Sequence, residues 1–144
     1  MVMKHTICRD CHNQTVRLAE AQKAQIKLHA EAAYPNEAVG ALIGTASGCQ
    51  MVVPAANIAT QPDRFEVAPS EALKILNEAE KLDQEVIGWY HSHPDHPAVP
   101  SPHDQPLLDQ GLLMLIATVQ NGIVTEMRCW QQGEHGVLEV EVTE

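Results

Sequence analysis

Aromatic residues are nearly missing: one Phe, two Tyr and two Trp in 144 residues. A core must therefore be built from aliphatic side chains and alanine. Hydrophobic residues still make up 44%, too many for a disordered chain, and the length suits one ordinary domain. Long apolar runs are also lacking. The longest, residues 112–119, is strand length, well short of the roughly 18 residues that suggest a membrane span. The opening MVMKHTICRD has no apolar stretch of the kind a secretory leader carries, so a cytoplasmic location is expected. Basic charge is scarce: nine Lys and Arg against 19 Asp and Glu, a formal charge of −10. Nucleic acid and anionic membrane surfaces are thus poor partners, and a cationic protein patch is a better one. The four cysteines, Cys8, Cys11, Cys49 and Cys129, lack the spacing of a disulfide framework. They are expected reduced, with Cys49 and Cys129 packed beside strands.

The patterning predicts a mixed α/β (α+β) domain over residues 14–144, preceded by a loose arm over residues 1–13. A short strand is expected near Thr15 to Leu18 and a helix over Glu20 to Ala33, ended by Pro35. Strands come next over residues 38–48 and 51–59, the second marked as an edge or bulge by Pro54. A third short strand is expected at Phe65 to Val67. Ser70 is expected to cap a second helix, with Ala72, Ile75, Leu76, Ala79 and Leu82 on its inner face. VIGWY (86–90), LLMLIATV (112–119), IVTEMRCW (123–130) and VLEVEV (137–142) read as strands. Asn121-Gly122 is a hairpin signal between two of them. The expected sheet is mainly antiparallel.

Between two of these strands lies HSHPDHPAVPSPHD (91–104), with four His, two Asp, four Pro and two Ser. Extended backbone points residues i and i+2 the same way, so His91 and His93 present two imidazoles to one point. Four prolines stiffen the chain beyond them. Ser101-Pro102 reads as an N-cap and a favoured first helical residue, which would return Asp104 toward the histidines. Two His and one Asp suit Zn²⁺, and three protein ligands leave a fourth position for water. One such ion, with its bound water, makes a nucleophile at neutral pH. The chemistry also needs a base and an oxyanion donor. Glu37, at the junction PNEAVGALIG, is the candidate base, and Ser101 the candidate donor.

Other metal patterns compete. HSHPDH also fits the H-x-H-x-D-H pattern of metallo-β-lactamase-like hydrolases, using His91, His93, Asp95 and His96, but only His103 and His135 remain downstream as further ligands. Asp95 and His96 are better placed on the loop rim. Zinc deaminases need H-x-E and a later P-C-x-x-C, which this chain lacks. Cys8-x-x-Cys11, flanked by His5 and His12, reads either as a second small zinc site or as part of a disordered or partner-binding arm.

The constellation resembles the JAMM/MPN+ (Mov34/JAB1) zinc metalloprotease family, in its compact prokaryotic form. The family pattern H-[ST]-H-P is met by His91-Ser92-His93-Pro94, with Ser101 and Asp104 beyond it at the family's spacing. The upstream E-x-x-G-x-L-x-G is met by Glu37, Gly40, Leu42 and Gly44. The resemblance runs from about Val16 to Trp130. It implies an MPN/JAB1 domain of the cytidine-deaminase-like type, a curved sheet flanked by helices. It also implies His91, His93 and Asp104 as zinc ligands, Glu37 as proton carrier and Ser101 as the group steadying the tetrahedral intermediate. The implied activity is an isopeptidase or peptidase cutting after the Gly-Gly tail of a ubiquitin-like or sulfur-carrier protein, the tail lying extended along a sheet edge. The alternative is a non-catalytic scaffold subunit, which would carry no stoichiometric zinc.

Overall fold

The computed structural model describes residues 15–144. The expected arm over residues 1–13, with Cys8 and Cys11, lies outside them. Seven strands form one sheet in the order β1-β7-β6-β5-β4-β2-β3. They are β1 (Thr15–Arg17), β2 (Val39–Thr45), β3 (Gly48–Ala55), β4 (Glu85–Pro94), β5 (Leu113–Gln120), β6 (Ile123–Gly133) and β7 (Gly136–Thr143). Four of the six strand pairs are antiparallel; β1–β7 and β4–β5 are parallel. The expected mainly antiparallel sheet is what forms. Three helices accompany it: α1 (Glu20–Ala33), α2 (Pro69–Lys81) and the single turn α3 (Gln105–Leu108). Among the described residues, no helix is long and apolar enough to cross a membrane.

The two faces of the sheet arise from alternation along its strands. Leu42, Tyr90, Leu113, Leu115 and Cys129 pack with Ile26 of α1 on one face. Val39, Ala41 and Ile43 of β2 turn the other way, against Ile75 and Ala79 of α2. Met114 and Ile116 lie beside Leu108 of α3. Most of this core is aliphatic, as the aromatic shortage requires, and Tyr90 is the largest fully buried side chain. Its ring lies so close to Gly40 that a Cβ there would sit 2.3–2.4 Å from it. The Pro54 signal is met because β3 is an outer strand. The Asn121-Gly122 turn has φ of 52° and 87°, the paired positive values of a type I′ hairpin.

Four expectations need correction. Residues 65–67 form no strand: their backbone is bonded within a loop, and Phe65 packs inward instead. Ser70 does not cap α2; Ala68 stands at the cap and Pro69 opens the helix, because the fixed φ of proline suits the first helical position. The inner stripe of α2 is narrower than its periodicity implies, with Ile75 and Ala79 buried but Leu76 and Leu82 about half exposed (49% and 50%). Finally, the histidines do not lie beyond the apolar strand. β4 runs on through His91 and His93 to Pro94, because β2 and β5 satisfy its backbone on either side.

Candidate metal centre

Being inside β4 decides where its side chains go. Tyr90 and Ser92 face α1, and His91 and His93 face the opposite side. Ser92 clamps the neighbouring chain: the Ala38 N–H donates to Ser92 Oγ at 2.7 Å, and the Ser92 N–H donates to the Ala38 carbonyl at 3.1 Å. In the antiparallel register Val39 stands opposite His91. Two residues further on, Glu37 therefore falls opposite His93, on the same face.

The chain returns after Pro94 through its proline-rich loop. Trp130 donates its indole N–H to the Ala98 carbonyl at 2.9 Å, and Ala98 is fully buried. A 3₁₀ turn, Pro102–Asp104, then leads into α3. It brings Asp104 back, as the Ser101-Pro102 signal predicts. The Ser101 N–H donates to Asp104 Oδ2 at 2.8 Å.

The outcome is a buried group of three, His91, His93 and Asp104. His91 Nε2 is 3.2 Å from His93 Nε2 and 3.2 Å from Asp104 Oδ1; His93 Nε2 is 3.4 Å from Asp104 Oδ2. Zinc bonds of about 2.0–2.1 Å in a tetrahedron place ligand atoms about 3.3–3.4 Å apart. Each imidazole nitrogen meets a carboxylate oxygen at close to that spacing, His91 at Oδ1 and His93 at Oδ2. The donor chemistry agrees. His93 Nδ1 lies 2.8 Å from the Pro97 carbonyl, which can only accept, so Nδ1 carries the proton and Nε2 of the neutral ring offers a lone pair. Two imidazole edges and a carboxylate thus converge on a point where a cation would be welcome.

The electrostatics of the group are set by burial and its partners. Burial disfavours protonation of His91 and lowers its pKa despite Asp104. For His93 burial acts the same way, but Asp104 and the Pro97 carbonyl outweigh it and the pKa rises. Asp104 is also opposed by burial, yet the adjoining His91 and His93 rings and the Ser101 N–H hold its carboxyl far below the usual range. Glu37 is pushed up to about 8, mainly by burial, with His93 working against the rise.

Glu37, His93 and Ser101 line one open cleft of about 290 Å³, together with Asp63, His96, Pro97, Val99, Pro100 and His103. All five residues singled out in the sequence are therefore brought together. Asp95 is not part of the group. It accepts from the Tyr34 hydroxyl at 2.7 Å and the Asn121 N–H at 3.2 Å, so it pins loops rather than a metal. His135 stands exposed on the β6–β7 turn. The alternative ligand set built on these residues does not assemble. What sequence reasoning missed is Phe65, whose ring lies on His91 with centroids 4.5 Å apart, and Asn57, which closes the loop that carries it. That Phe65 is the only Phe in the chain was a usable signal.

Comparison with known proteins gives a consistent picture. The family model for prokaryotic homologs of the JAB domain matches residues 19–132. A desampylase of Haloferax volcanii is 34% identical over 74 residues, 49% of this chain and 53% of that protein. The chain thus spans about half the length of that curated relative. A protein of Desulfitobacterium hafniense solved in solution is 30% identical, with a TM-score of 0.77 over 89% of this chain and 91% of that one. A JAB1/MPN domain protein of Archaeoglobus fulgidus shares the fold at 20% identity, with a TM-score of 0.58 over 91% of this chain and 100% of the other.

Proposed function

The chain belongs to the family of prokaryotic homologs of the JAB domain, and from that premise we propose that it is a zinc-dependent amide hydrolase. Its substrate is the C-terminal Gly-Gly tail of a ubiquitin-like or sulfur-carrier protein. One observation carries the reading: two buried imidazole Nε2 atoms 3.2 Å apart, each 3.2–3.4 Å from an oxygen of the same buried carboxylate, beside a cleft that Glu37, His93 and Ser101 line.

His91, His93 and Asp104 would hold the ion. Zn²⁺ there supplies Lewis acidity and lowers the pKa of water. Glu37 lies outside the ligand group, and it accepts a proton from the attacking water and delivers it to the leaving nitrogen. The C–N bond breaks as the carbonyl carbon gains the water oxygen, giving an acid and an amine. A base works best when its pKa lies near the working pH, and burial has moved Glu37 in that direction. Ser101 stands at the cleft and donates to the oxyanion that forms. Pro97, Val99 and Pro100 make one wall stiff and apolar, which suits a tail without bulky side chains. The desampylase relative is consistent with this substrate class.

The test is cleavage of Gly-Gly-tailed fusions and isopeptide conjugates by zinc-loaded protein. Wild type should cut, and Glu37→Gln should keep zinc but lose most turnover, about 10²–10⁴-fold for a lost general base. A zinc-loaded wild type that is inert toward every such substrate refutes the proposal. Full activity in Glu37→Gln refutes the role given to that residue.

A further inference from the structure

Metal-binding histidines almost always donate their second ring nitrogen to a partner that fixes the ring. His93 does so through the Pro97 carbonyl. His91 does not: its Nδ1 is buried with no hydrogen-bond partner among the described residues. What lies on its ring is Phe65, centroids 4.5 Å apart and planes tilted by 33°. Phe65 is carried by the loop between β3 and α2, and that loop is closed by one side chain. Asn57 uses all of its hydrogen-bonding capacity. Its Nδ2 donates to the Glu37 carbonyl at 2.8 Å and the Arg64 carbonyl at 3.0 Å. Its Oδ1 accepts from the N–H of Ala59 at 2.9 Å and of Glu66 at 3.0 Å. The amide orientation is unambiguous, because a flip would set oxygen against two carbonyls.

We propose that Asn57 and Phe65 are positioning residues of the metal centre. Asn57 ties the backbone of the base Glu37 to the loop, and Phe65, held by that same closure, orients His91 in place of the missing hydrogen bond. Neither residue touches the reacting atoms. The assignment rests on the zinc site proposed above.

Asn57→Asp and Phe65→Leu separate the two tasks. Asn57→Asp keeps both acceptor contacts but loses both donors, leaving oxygen against the Glu37 carbonyl. At saturating zinc it should lose about 10–100-fold in kcat, as small misplacements of a catalytic group do, with a smaller change in KM. Its zinc affinity should fall no further than that of Phe65→Leu, because the same closure holds Phe65. In a Glu37→Gln background the same substitution should cost nothing more, because it acts through Glu37. Phe65→Leu should weaken zinc binding about 10–100-fold, the range seen when a group orienting a ligand is lost, measured by competition with a chromophoric chelator. Circular dichroism checks that each variant folds, and Asn57→Ser replaces the aspartate if that one does not.

Wild-type kcat in Asn57→Asp, or an equal further loss in the Glu37→Gln background, overturns the Asn57 assignment. Wild-type zinc affinity in Phe65→Leu overturns the Phe65 assignment. A wild type that binds zinc yet cleaves nothing fails the proposed reaction alone, and the zinc titrations still decide on Phe65. A wild type that binds no zinc overturns both proposals together.

Discussion

Replacing Glu37 with Gln in zinc-free protein probes the electrostatics of the cleft without any turnover assay. Glu37 is 6% exposed, and burial raises its carboxyl from 4.5 to about 8. A carboxyl with a folded pKa above its unfolded one keeps an extra proton in the folded state. Stability therefore falls as pH climbs through the window from 4.5 to about 8. At about 1.4 kcal/mol per pH unit, the loss reaches about 3 kcal/mol at pH 7 and about 5 kcal/mol at pH 8. Both are upper limits, since water entry and small relaxations soften such penalties. Glutamine fills the same space without ionising. Glu37→Gln should thus differ little from wild type near pH 4.5 and be the more stable protein at pH 8, by about 1–3 kcal/mol after that softening. At about 2–4 °C per kcal/mol for a chain of this size, the gain is several degrees in Tm. Urea unfolding of chelator-treated protein at several pH values measures it. Zinc should shrink the difference, because a nearby cation favours the ionised carboxylate. A difference that stays flat from pH 4.5 to 8, or a variant less stable at pH 8, refutes the reasoning.

Zinc at about 1,000 times its Kd should add about 4 kcal/mol to stability, near 8–16 °C in Tm; Asp104→Ala should abolish both the shift and the one-to-one zinc content found by elemental analysis. Retained stoichiometric zinc in Asp104→Ala and in His91→Ala would exclude this ligand set. Gly40→Ala drives a methyl to 2.3–2.4 Å from the Tyr90 ring, an overpacking worth about 1–3 kcal/mol in a denaturant melt, and unchanged stability there would show that the ring moves freely.

The sequence alone determined what local rules govern. Helix α1 spans the residues its composition indicates, and the Asn-Gly turn and the edge position of the Pro-bearing strand come from backbone chemistry that each residue carries with it. The meeting of His91, His93 and Asp104 was legible for the same reason. Alternation aims His91 and His93 together, and Ser101-Pro102 starts the turn that returns Asp104, all within fourteen residues. Only the tertiary structure decided what depends on neighbours distant in the chain. His91 and His93 are strand residues because β2 and β5 flank them, and the register of β2 on β4, locked by Ser92 on Ala38, sets Glu37 opposite His93. Residues 65–67 have strand-like composition, yet Asn57 captures the Glu66 N–H and Phe65 finds a better surface on His91. Side-chain alternation is a property of one segment of chain; register and loop closure are settled by which partner each backbone group meets, and no local pattern records that partner.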